Sequence, residues 1–196
     1  MIRFSPVAEP VEFDEKCRKP GARWLAGHPN ATRPYDYWSP FRPELLKGFD
    51  NLCAYCAMFA VGDEQVDHYV GCKEDISLAY EWSNYRPCKA LMNNLKSHRK
   101  QGEPQILDPF ALKDEWFELL LPSLQVIVTD RVPSELKARA EFTLLRLGLR
   151  DDERVIRLRR AWLELYEQGD LTIHGLEKMA PLIARAVRKR DGEDRE

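Results

Sequence analysis

The chain has 196 residues, 44% of them hydrophobic, which suffices for one sizeable core or for a small module with a helical extension. A net charge of -2 excludes a protein that coats nucleic acid by bulk charge, so any DNA contact must come from a local cluster of cations. Five scattered cysteines do not form the dense framework of a small secreted domain, MIRFSPVAEPVEF has no apolar signal region, and no stretch approaches a membrane span; a reducing cytoplasm and no membrane are expected.

Residues 1–45 interleave Trp24, Tyr35, Tyr37, Trp38 and Phe41 with Arg18, Lys19, Arg23, Arg33 and Arg42. Base stacking is one use of such a pattern, but the reading favoured is an irregular wrap that buries its aromatics on the rest of the chain. PELLKGFDNLC reads as a short helix that breaks at Gly48 and leads into the turn Cys53-Ala-Tyr-Cys56. EQVDHYV alternates as a strand ending near Gly71, which sends Asp67 and His68 to opposite faces. After a loop, EWSNYRPC leads to a helix-like CKALMNNLKSHRK, with Pro87 suited to a first helical position. On that helix Asn93 and Lys96 share a face, while Leu91 and Leu95 pair inward. Between Arg86 and Lys100 lie Arg86, Lys89, Lys96, Arg99 and Lys100 without one acid. That run is either a phosphate-contacting patch or a solvated helix face.

Beyond Gly102, WFELLL and LQVIVTD, divided by Pro122-Ser123, can pair as a hairpin, and Asp108 in an Asp-Pro pair reads as a turn rather than a ligand. Ser134 is the expected cap of a helix stopped at Gly148; Asp151 or Asp152 caps a second, stopped at Gly169, with an apolar stripe of Val155, Leu158, Trp162 and Leu165. A third helix starts near Thr172 and should be kinked or divided by Pro181.

Asp67-His68, Asn84, and Asn93 with Lys96, preceded by Cys53-Ala-Tyr-Cys56, resemble in order and spacing the ββα-metal motif of the HNH endonuclease superfamily. The likeness covers roughly a quarter of the chain, extended weakly by Asp108-Pro-Phe110. It implies an α+β fold: an HNH module over 46–102, an irregular wrap over 1–45, a hairpin or linker over 103–132, and a helical region over 133–190 packed with the module. It further implies a metal-dependent hydrolysis of DNA phosphodiester bonds. His68 is then the general base, Asp67 and Asn93 hold one divalent ion, magnesium or manganese, and Asn84 completes the catalytic motif, more by bonding backbone across the loop than by touching metal. Asn94 competes with Asn93, but the spacing to Lys96 favours Asn93. In this family a second Cys pair can complete a zinc site with Cys53 and Cys56; here Cys88 is present with Leu91 and Met92 further along, and Cys72 could supply a fourth thiolate only if its loop folds back, so structural zinc competes with reduced, buried thiols. Family members also serve beside an ATPase or another protein subunit of bacterial defence systems. The competing reading is a non-catalytic nucleic-acid or partner-binding module on a decayed HNH frame, and RNA is not excluded as substrate.

Overall fold

The computed structural model describes residues 1–97 and 102–192 of an α+β protein. Its burial is organised by one five-residue strand. Strand β1 (Glu64–His68) pairs antiparallel with β2 (Tyr85–Lys89), Asp67 opposite Arg86 and His68 opposite Tyr85, and helix α3 (Ala90–Ser97) follows directly. Side chains alternate across a strand, so Tyr85 and Cys88 leave β2 on opposite sides. Tyr85 joins an apolar cluster with Phe4, Phe13, Phe41, Phe49 and Trp82 from the N-terminal half. Cys88 joins a second cluster with Cys53, Cys56, Met92 and the C-terminal hairpin and helices. Four of the five residues of β2 are buried, so both faces of this pair are covered.

Pro87 therefore does not start a helix. It lies within β2 opposite Val66, where a missing N–H is tolerated because β2 has only one partner strand, and its carbonyl accepts from the Ala54 N–H at 2.8 Å. That bond ties the Cys53–Cys56 turn to the strand.

The N-terminal wrap is less irregular than expected. A π-helical turn, Asp14–Arg18, runs into helix α1 (Lys19–Gly27). Pro20 has no N–H to give the preceding turn, and the widened turn just before it accommodates that loss. Gly21 is required by packing: a Cβ there would lie 2.3 Å from the Tyr80 ring. Helix α2 (Arg42–Gly48) then delivers the chain to the cysteine turn.

The expected hairpin forms as β3 (Phe117–Leu120) and β4 (Gln125–Val128). Helix α4 (Ser134–Arg146) begins after Pro133, without side-chain capping; the Ser134 hydroxyl bonds Glu135 instead. Helix α5 (Glu153–Glu167) is capped by Asp152, whose carboxylate accepts from the Arg154 N–H at 2.9 Å. Its stripe holds at Val155, Leu158 and Trp162, but Leu165 is 39% exposed and Tyr166 packs in its place. Pro181 divides the last helical stretch into α6 (Ile173–Met179) and α7 (Pro181–Asp191). Among the described residues, no helix is long and apolar enough to cross a membrane.

Candidate active site

The open end of β1 forms one wall of a cavity of about 950 Å³. Asp67, His68, Asn93 and Lys96 all line it, joined by Arg33, Trp38 and Lys73 from the segments on either side. Although Asp67 and His68 leave the strand in opposite directions, the cavity wraps its end and reaches both.

His68 points into an aromatic corner. Its ring meets Trp38 and Tyr85 edge-on, with centroids 4.7 and 5.1 Å away. Nε2 lies 2.8 Å from the Ala79 carbonyl oxygen, which also accepts from the Tyr85 hydroxyl at 2.8 Å. A carbonyl can only accept, so Nε2 carries the hydrogen and Nδ1 keeps its lone pair. Burial lowers the imidazole pKa below 6.5; the Ala79 bond and the Asp67 charge oppose that shift without reversing it. The residue is thus a neutral imidazole at neutral pH, able to take a proton.

Asp67 turns towards α3 and is 6% exposed. Lys96 Nζ sits 3.0 Å from Oδ1 and 2.9 Å from Oδ2, and donates to the His68 carbonyl at 2.6 Å. The Tyr55 hydroxyl donates to Oδ2. Burial, then the Asp67 charge, pushes the Tyr55 phenol well above 10, so it stays a donor. The cysteine turn thus delivers Tyr55 beneath the carboxylate.

Asn93, rather than Asn94, lies on the cavity wall; its Nδ2 donates to Gln65 Oε1 at 2.8 Å, which leaves its amide oxygen as an acceptor. Asn84 does not line the cavity. It is buried, its Oδ1 accepts from the Val70 N–H at 2.8 Å, and its Nδ2 donates to the Val70 and Leu78 carbonyls at 3.1 Å each. These bonds pin both ends of the loop that carries Ala79 and, with it, the partner of His68.

The described members of the basic run, Arg86, Lys89 and Lys96, are held by internal partners. Arg86 is 2% exposed, bonded twice to Asp108 at 3.0 and 2.7 Å, with its guanidinium 3.7 Å from the centre of the Phe110 ring. The Asp108-Pro-Phe110 turn thus serves as the seat of Arg86. Lys89 pairs with Asp63 at 3.1 Å and Lys96 with Asp67, while Arg99 and Lys100 lie outside the described residues. Among the described residues, the outward cations lining the cavity are Arg33 and Lys73, both exposed and without an ion pair there. Lys73 sits just beyond the Asp67-His68 strand, a signal the sequence carried; Arg33 and Trp38 stood out only as part of the aromatic and basic interleaving of residues 1–45, and nothing pointed to Tyr55.

Cys53, Cys56 and Cys88 are free and buried. Burial would raise the Cys53 thiol, but hydrogen bonds from Cys56 and from the backbone N–H groups of Cys56, Lys89 and Tyr55 bring it down to about 7. Burial pushes Cys88 well up. Fully buried Met92 shares their apolar cluster. Among the described residues, no three His, Cys, Asp or Glu side chains converge closely enough to hold a metal ion, so the thiolate set expected for zinc is incomplete.

For a hard divalent ion the donors on this wall are the Asp67 carboxylate and the Asn93 amide oxygen, of the right chemistry for magnesium or manganese with waters completing the shell. The fit has one condition: the Lys96 ammonium now stands on both carboxylate oxygens and has to yield them. Neither a protein-family model nor a curated protein matches this sequence.

Proposed function

We propose that this chain is a metal-dependent endonuclease of the HNH type that hydrolyses DNA phosphodiester bonds, with His68 as its general base. One observation carries the reading: His68, with Nε2 occupied by the Ala79 carbonyl and Nδ1 left as an acceptor, shares a cavity wall with the oxygen donors Asp67 and Asn93.

In the step so assigned, Nδ1 of His68 takes a proton from water as the water oxygen bonds to phosphorus. The P–O ester bond opposite breaks, and the departing oxygen is protonated from solvent. A divalent ion held by Asp67 and Asn93 would supply charge to the phosphate and to the leaving oxygen. Arg33 and Lys73 hold neighbouring phosphates without reading bases, which suits cleavage with little sequence preference. Asn84, Tyr85 and Trp38 act as positioning residues for His68. We place the protein in a reducing cytoplasm, which its five scattered cysteines support, and give it a role in bacterial defence beside an ATPase or another subunit, which the family likeness supports.

A second reading, a nucleic-acid-binding module on a decayed frame, draws on the Lys96–Asp67 pair, which fills the cation position. Gel shifts and cleavage assays on the wild type and His68→Ala separate the two. DNA binding that survives in the variant while cleavage is lost supports the nuclease; binding by both with turnover by neither supports the module.

A further inference from the structure

We propose that Lys96 serves as the site's resident cation in the free protein, and that a nucleic-acid phosphate entering the cavity draws its ammonium off Asp67 and so opens the carboxylate to a divalent ion. The inference rests on the nuclease reading and concerns the order in which that site assembles.

The three donors of the ammonium have three acceptors in reach: both Asp67 oxygens and the His68 carbonyl. The pair is closely held, the two side chains being 11% and 7% exposed. A divalent ion placed on Asp67 with Lys96 unmoved would meet a positive charge at contact distance, so Lys96 and metal exclude one another. Lys96 has somewhere to go. Its side chain already lines the cavity, its four-carbon stem is flexible, and Arg33 and Lys73 mark the same cavity as the place where phosphate charge accumulates.

Charge balance then sets the order. In the free protein Lys96 neutralises Asp67, and little attraction remains for a second cation. A phosphodiester brings a further negative charge, which Lys96 can serve at the cavity while Asp67 is left for the metal. Phosphate and metal therefore bind cooperatively, and the factor by which DNA tightens metal equals the factor by which metal tightens DNA. A free protein that carries no metal at Asp67 does not cut until substrate is in place.

The test is Mn(II) binding by the full chain, read from the electron paramagnetic resonance signal of the free ion. A short duplex with phosphorothioate linkages is present or absent, and the duplex's own Mn(II) uptake is subtracted. The expected result is that the wild type binds Mn(II) at least about tenfold more tightly with the duplex, and that Lys96→Met without DNA binds it at least about tenfold more tightly than the wild type without DNA. Lys96→Gln replaces Lys96→Met if the latter does not fold, and a folded Lys96 variant that binds Mn(II) without DNA no more tightly than the wild type does overturns the proposal. Equal Mn(II) affinity with and without the duplex overturns the proposal; if plasmid cleavage persists in that case, the nuclease reading stands. Absence of Mn(II) uptake under both conditions overturns the proposal, and absence of cleavage with it removes the nuclease reading as well.

Discussion

Nε2 of His68 and the carbonyl oxygen of Ala79 lie 2.8 Å apart, and this single contact sets which ring nitrogen is free to act as a base. Because burial lowers the imidazole pKa, the neutral form dominates above 6.5. Cleavage should therefore be flat through neutral pH and fall as the pH drops through a midpoint below 6.5, where His68 gains its proton. A single-turnover pH–rate profile checks this, and a midpoint at or above 7 contradicts it.

Asn84 holds the loop that carries Ala79, through three bonds to backbone. Asn84→Ala leaves those buried groups unpaired and should cost about 1–3 kcal/mol of stability. It should also lower kcat more than it raises KM, since it displaces the support of His68 and no group that binds DNA. Thermal denaturation and steady-state kinetics report the two effects; unchanged stability rules out the bracing role.

Arg86 and the pair Arg33 and Lys73 should separate cleanly. Arg86→Ala strands Asp108 and removes a buried guanidinium, a loss of about 3–5 kcal/mol. Arg33→Ala and Lys73→Ala should leave the melting temperature unchanged while weakening DNA binding, each lowering the slope of log affinity against log salt by about 1. Fluorescence anisotropy across a salt series measures the slopes. A folded Arg86→Ala protein with a reduced slope would return Arg86 to the DNA-binding surface.

Asp152 caps α5 through the Arg154 N–H and its side chain meets the Arg154 guanidinium at 2.7 Å. The side-chain bond to Arg154 lowers its pKa below the ordinary 3.8. The folded state thus prefers the carboxylate, so the contribution is present above that ordinary value and is lost as the pH falls through the lowered one. Asp152→Ala should cost about 1 kcal/mol at pH 7. Urea denaturation at pH 7 and at pH 3 measures the difference, which should shrink at the lower pH.

What was legible in the chain was local. The alternation around Asp67-His68, the Pro122-Ser123 hairpin and the break at Pro181 each declare themselves within a few residues and form, and of the two acids offered as a cap, Asp151 and Asp152, the second serves. Burial of Arg86 was not legible because its partners, Asp108 and Phe110, lie more than twenty residues on and act only once β2 is covered on both faces. Tyr55 beneath Asp67 was hidden for the same reason: the cysteine turn draws attention to its thiols, while the side chain between them reaches the site. The helical stretch of Asp14–Arg18 and α1 was hidden by Pro20 and Gly21, two residues that ordinarily break helices; here a widened turn and the Tyr80 ring account for them.

The central claim, that His68 is the base of a metal-dependent nuclease, is tested most directly on supercoiled plasmid. Purified wild-type protein and His68→Ala are incubated with magnesium, manganese or EDTA, and the products are separated by agarose electrophoresis. Nicking or linearisation that needs metal and falls at least about a hundredfold in the variant is the predicted result. Cleavage by the wild type that His68→Ala leaves unchanged would contradict the assignment of His68.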